Sequence, residues 1–218
     1  MQYFDKDTFA FLKELAANND RDWFAENKAR YEESVKEPFL QFIDDVGPEL
    51  RKVSKAIVAD SRPNGGSMFR IYRDVRFSKD KSPYKPYATA HFSMGKGVHG
   101  PGYYLHLQPG ECFLAGGMWM PEPPILQSIR ERISAKPAEW KKAKGKLDHP
   151  EDTLKRPPRG FDADDPMIED IKRKSFTGSV RLTDKQVQAP DLVKTVVADC
   201  RELAPLMKFL STAAGVTW

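Results

Sequence analysis

The strongest constraint on the fold is a set of successive runs in which apolar and polar residues alternate. Ala88, Ala90, Phe92 and Met94 alternate with Tyr87, Thr89, His91 and Ser93, and Tyr103, Leu105 and Leu107 alternate with Tyr104, His106 and Gln108. A further run follows from Glu111 to Trp119. Side chains on a strand point alternately to its two faces, so each run has one apolar face and one wetter face. The connections, a glycine-rich turn from Gly95 to Gly102 and a tight turn at Pro109-Gly110, leave no room for a crossover helix. Neighbouring strands must therefore run antiparallel. An earlier run sets Phe69, Ile71, Val75 and Phe77 against Arg70, Tyr72, Asp74 and Arg76, and reads as the first strand of the same meander. Arg73 falls on its apolar side, so either a bulge re-aims it or it is buried and paired. Phe176, Gly178, Val180 and Leu182 suggest one more strand near 175–182.

Helical spacing flanks these runs on both sides. Residues 5–18 carry an apolar stripe of Phe9, Phe11, Leu12 and Leu15, with Asp5, Asp7 or Thr8 as its cap. A second helix is predicted from Arg21 to Val35, interrupted by Pro38. A third carries Phe39, Phe42, Ile43 and Val46 up to Gly47-Pro48, and helical spacing continues to about Ala59. After the meander, Ile125, Ile129 and Ile133 mark a helix begun by the prolines at 121–124, and a short one spans Pro137 to Lys146. Residues 147–166 read as a long ordered loop. The region from Asp191 to Ala214 is helical, with Pro205 as its expected break. The expectation is a single α+β domain over 1–218: a helical part at 5–59, a mainly antiparallel sheet of about four to five strands at 68–119 with one added strand, and a helical part at 123–214.

Composition matters mainly for what it excludes. Hydrophobic residues make up 40% and charged ones 30% of 218 residues, as in a soluble domain. No apolar run approaches the roughly 18 residues needed to span a bilayer, and the first residues show no basic segment followed by an apolar one. Cys112 and Cys200 are too few for a disulfide framework and lie in no CxxC pair. A cytoplasmic protein with no membrane partner is expected.

Charge is concentrated. Within Phe69 to Lys85, six cations (Arg70, Arg73, Arg76, Lys79, Lys81, Lys85) face two carboxylates, Asp74 and Asp80, a local +4 equal to the net charge of the whole chain. Arginine forks bind phosphate or carboxylate at two points and lysines add point charge. Arg70, Arg73, Arg76, Lys79, Lys81 and Lys85 are thus the candidate binding residues for a small anionic ligand. Asp80 and Tyr84, the latter as a hydroxyl donor, complete the candidate binding set, and Asp74 would orient an arginine. His91 and His106, on the polar face of the meander, and Asp74 are the candidate acid/base groups. The histidine spacing carries no metal signature, and no phosphate loop, dinucleotide fingerprint or nucleophile elbow is present, so neither metal nor cofactor is expected. Trp23, Phe24, Tyr31 and Trp119 read as core more readily than as a ligand cage. Asn19, Arg21, Asn27 and Lys28 lie beside the first three and could extend an anion pocket.

Two other readings use the same stretch. Joined to Lys141, Lys142, Lys144, Lys146 and the run Lys172 to Lys174 on one surface it would bind nucleic acid. As an internal ion-pair network it would guard a sheet edge in a protein-interaction module.

The run Arg70-Ile-Tyr-Arg73-Asp74-Val-Arg76-Phe77-Ser-Lys-Asp80-Lys81-Ser-Pro-Tyr84, with Asn18-Asn19-Asp20-Arg21-Asp22-Trp23-Phe24, Asn27, Lys28 and Tyr31, resembles the signature of the domain-of-unknown-function family numbered 2461. The likeness covers nearly the full chain. It implies that Arg70, Arg73, Asp74, Arg76, Phe77, Asp80, Lys81 and Tyr84 are hallmark positions, and it brings no activity with it.

Overall fold

A computed structural model of the protein describes residues 1–94 and 100–218. The first part of the expected glycine-rich turn, with His99, lies outside the described residues.

The chain opens with α1 (Lys6–Ala17), begun by a reciprocal cap in which the Asp5 carboxylate accepts from the Thr8 N–H and the Thr8 hydroxyl accepts from the Asp5 N–H. Asp20 caps α2 (Arg21–Glu26) in turn. The predicted helix over 21–35 is in fact divided. After α2 comes α3 (Lys28–Tyr31), then one wide π-turn (Glu32–Lys36), which runs without a break into α4 (Glu37–Val53). Pro38 does not end the helical run: it sits where the π-turn passes into α4, and the Ser34 carbonyl four residues before it accepts from the Thr8 hydroxyl at 2.8 Å in place of the missing N–H. Gly47-Pro48 does not end the helix either. Pro48 sits on the exposed side, and α4 buries Phe39, Phe42, Ile43, Val46 and Leu50 on the other. Burial of about 1.5–3 kcal/mol for each large side chain outweighs the roughly 3 kcal/mol of an internal proline.

The sheet has five antiparallel strands in sequence order: β1 (Ile57–Val58), β2 (Ala88–Met94), β3 (Gly102–Leu107), β4 (Cys112–Met118) and β5 (Phe176–Leu182). The single α+β domain and its meander are as expected, but the first strand is not. Residues 57–58, predicted helical, form the edge strand, and residues 69–77 form no strand. Beside β1 the outer edge of β2 is covered only by Ser67 to Phe69: Met68 bridges Ala90, and the Phe69 N–H donates to the Thr89 carbonyl at 2.9 Å. The next bridge, Tyr72 to Tyr84, is out of step with the first. Tyr72 lies four residues from Met68 but Tyr84 lies six from Ala90, so the two bridges do not join into one ladder.

One face of the sheet is dry. Phe92, Met94, Tyr103, Leu105, Leu114 and Leu182 are at most 2% exposed there and pack against α4 and α9 (Leu192–Ala213). The Tyr103 hydroxyl donates to the Cys200 carbonyl at 2.8 Å, joining β3 to α9. A second core forms where α9 meets α5 (Pro123–Ala135) and α6 (Pro137–Ala143), around Trp140, Phe176, Phe209 and Leu210. Short α7 (Ile168–Ile171) and α8 (Asp184–Val187) flank β5. Pro205 was expected to break α9, yet the helix continues through it. Pro205 is exposed, and Leu206, Met207, Phe209 and Leu210 just beyond it are buried across both cores. The loop from 147 follows the outer edge of β5: the Asp148 N–H donates to the Thr177 carbonyl at 2.8 Å, and Thr153 bridges Arg173. Among the described residues no helix is long and apolar enough to cross a membrane.

Candidate functional site

The two signature segments meet. Asn19, at the end of α1, holds the backbone of Tyr84 in both directions, its Nδ2 donating to the Tyr84 carbonyl and its Oδ1 accepting from the Tyr84 N–H, each at 3.0 Å. The Phe24 ring of α2 stacks on the Tyr84 ring at 4.1 Å, and Tyr72 lies 5.5 Å from Tyr84. An N-terminal helix is thereby fixed against a loop that begins fifty residues later in the chain.

That junction leaves a notch of about 210 Å³ between α3 and residues 68–72. Its charged lining is Lys28, Lys36 and Arg70 against Glu32, three cations to one carboxylate, with Tyr31 and Tyr72 beside them. Glu32 is 3.7 Å from Lys36, while among the described residues Arg70 pairs with no carboxylate. Burial, with Tyr72 and Glu32 close by, raises the Tyr31 hydroxyl well above its ordinary range, so it stays protonated and able to donate. Lys85 donates to the Arg70 carbonyl at 2.9 Å, and its pKa is lowered by burial and by the Arg70 guanidinium nearby.

The remaining cations of the stretch are turned to other partners. Arg73 is ion-paired with Asp80, and Arg76 with Asp74 at 2.7 Å. Lys81 donates to the Val75 carbonyl at 2.9 Å. Arg73 is therefore neither bulged inward nor buried; it ties the two sides of an exposed loop. The Ser82 hydroxyl and N–H, then Arg73, hold Asp80 down to about 2, and Arg76 holds Asp74 down to about 2. A carboxylate so acidic is a poor proton acceptor near neutral pH, which leaves Asp74 an orienting group. Lys79 is exposed, and Phe77 at the loop tip is 95% exposed. Tyr84, buried against Phe24, offers its backbone rather than its hydroxyl. Only Arg70, of the candidates in the stretch, lines the notch.

The two histidines share the open face of the sheet but do not oppose each other. Thr89 pairs with His106, and His91 pairs with Tyr104. His106 is flanked by Tyr87 at 4.6 Å and stacked on Phe113 at 4.9 Å, with its ring nitrogens 3.3 Å from the Tyr104 hydroxyl and 3.4 Å from Gln108 Oε1. Both nitrogens being engaged, it is a packing residue. The His91 ring lies across Gly102, where a Cβ would come within 2.1 Å of its Nε2. Burial lowers the pKa of both rings, so both are neutral at pH 7. None of Arg70, Arg73, Arg76 or Lys81 lines the hollow beside His91. Among the described residues no three histidine, cysteine or acidic side chains are grouped to hold a metal ion.

α6 packs against α9 and α5, and residues 172–174 lead into β5, whereas residues 68–85 lie outside β2 at the other end of the strand order, so the two basic groups are apart. Lys144, Lys172 and Lys174 are each paired with a carboxylate. Sequence reasoning assigned the notch's Arg70 and set Lys28 beside it as an addition, but missed Lys36 and Tyr72. Nothing in local patterning joins them; the signature was an available signal for Tyr72, which lies within it, and not for Lys36, which lies outside both segments.

A family model described as conserved hypothetical protein (DUF2461) matches residues 7–209. The chain matches no curated protein and no solved structure.

Proposed function

The chain belongs to the family of conserved hypothetical proteins DUF2461, and we propose that this member binds the phosphate or carboxylate group of a small anionic ligand in the notch between α3 and residues 68–72. The observation that carries this reading is that Lys28 from the N-terminal signature segment and Lys36 from the π-turn after it meet Arg70 from the central signature around a hollow with a single carboxylate. Arg70 supplies the fork, the two lysines supply charge, and Tyr31 and Tyr72 supply hydroxyl donors. A volume of about 210 Å³ suits one anionic group with a short attachment, and is smaller than a pocket for a whole drug-sized molecule. The ion pairs of Arg73 and Arg76 and the carbonyl contacts of Lys81 and Lys85 keep the loop in shape so that Arg70 is presented.

Titration with inorganic phosphate, followed by amide shifts of Arg70, Ile71 and Tyr72, tests this. Saturable shifts are expected in the native chain, with affinity lowered about tenfold or more in Arg70→Ala and in Lys28→Ala. Shifts that persist unchanged in a folded Arg70→Ala variant would sink the reading.

A further inference from the structure

The open face of the sheet holds a second, larger hollow, and its chemistry is the opposite of the notch. We infer that it is a binding site for an organic ammonium ion carrying an apolar ring. The hollow encloses about 780 Å³ over β3, β4 and β5, within the range of small-molecule sites.

Its floor is low because of what the strands carry there. Gly102 pairs with Gly117, and Ala115 pairs with Tyr104 on one side and Ser179 on the other. Gly117 has φ +142°, and a Cβ at that position would come within 2.1 Å of the Phe176 carbonyl, so no larger residue can fill the centre. Large rings rise around this floor. Tyr104 and Phe113, 6.0 Å apart, stand on one side, with His91 beyond them. Trp119, 59% exposed, stands on another, its ring edge-on to His149 at 4.9 Å. The backbone supports that wall: His149 has φ +50° and Met120, directly after Trp119, has φ +45°, both uncommon for residues other than glycine. The Met120 N–H is held by the Ser175 hydroxyl at 3.1 Å.

Charge selects the ligand. Among the described residues the lining includes Glu111 and Asp148 but neither lysine nor arginine, in a chain whose net charge is +4. Asp148 accepts from the Ser179 hydroxyl at 3.0 Å, and Glu111 from the Gln108 amide at 3.0 Å, so neutral donors hold both carboxylates without cancelling their charge. Among the described residues neither carboxylate forms an ion pair, the neighbouring Arg173 and Arg181 being bonded to the Asp148, His149 and Gly110 carbonyls instead. Aromatic faces beside such carboxylates attract a weakly hydrated cation, and the rings bury its apolar body. An anion would meet two like charges and no donor cation.

The probe is benzyltrimethylammonium, compared with benzoate and benzyl alcohol, which carry the same ring with opposite or no charge. Amide shifts of Tyr104, Phe113 and Thr177 report binding, with Trp119 fluorescence as a second readout. The ammonium probe is expected to bind at least about tenfold tighter than benzyl alcohol, with no saturable response to benzoate. Two variants should lose the preference while keeping the native melting temperature: Ala115→Trp, which fills the floor, and the pair Asp148→Asn with Glu111→Gln, which removes the charge. Should Ala115→Trp fold poorly, Trp119→Ala, at an exposed position, tests the site through its wall instead. Equal binding of benzoate, or ammonium binding unchanged in these variants, overturns the inference. Phosphate binding at Arg70 is read at different amides, so either site can fail alone.

Discussion

Asp199 shows how far one residue's surroundings can move it from its ordinary chemistry. It lies on α9 with Oδ2 buried and without a hydrogen-bond partner among the described residues, and burial, with Glu202 nearby, lifts its carboxyl from 3.8 to about 6. Because the folded value is the higher one, this group's contribution to stability is complete below about pH 4 and is lost as pH rises through about 6. A shift of that size corresponds to a ceiling of roughly 3 kcal/mol, and partial solvent access reduces it to about 1–2 kcal/mol. Asp199→Asn should therefore raise the urea-unfolding free energy by about 1–2 kcal/mol at pH 7.5 and leave it unchanged at pH 4. An equal gain at both pH values would mean that charge burial is not the cause. Composition gave no sign of this: Asp199 reads as one more helix-surface acid, and only its neighbours bury it. Arg70 and Arg73 make the same point: two arginines of one charged run, one facing a notch and the other tied to Asp80.

Local pattern was legible for the elements that bury a continuous face and misleading for those that do not. Strands β2, β3 and β5 match their runs of alternation nearly residue for residue, because one side of each is covered by helices. The same alternation at 69–77 makes no strand: the segment from Met68 to Tyr72 makes two bridges in different registers, and Phe77 is left in solvent. What shapes that segment is Asn19, through two hydrogen bonds from another element. Asn19→Ala should cost about 2 kcal/mol, roughly 1 for each bond. It should also speed amide exchange at Tyr84 and at Arg73, whose N–H donates to the Pro83 carbonyl at 2.9 Å. Unaltered exchange at both amides would show that the loop holds itself. Pro48 and Pro205 stood out in the sequence as helix breakers, yet each lies on the solvent side of a helix whose opposite side is buried.

Across the whole molecule the charges fall into separate groups. One basic group lies outside β2, the other around α6 and the approach to β5, and the carboxylate-lined hollow lies over β3, β4 and β5. A nucleic acid needs cations along one continuous path, and several of these are already paired within the chain. Binding to a generic oligonucleotide should therefore be weak, with a nearly flat dependence of log K on log salt. A slope steeper than about −3 would point to a joint basic surface after all.

The sequence by itself determined the fold class, the order of the central strands, which face of each is dry, and which segment carries the excess charge. Each of these follows from periodicity or composition within a short window, where side-chain direction is set by the backbone alone. Tertiary structure decided the rest. It gave β2 a two-residue edge strand in place of the predicted one, set Lys28 and Lys36 against Arg70, and turned the other cations inward upon their own loop. It also made a hollow of Gly102, Ala115 and Gly117 by placing them side by side on adjacent strands. Those outcomes depend on which distant backbone groups find a partner, and no local pattern contains that information.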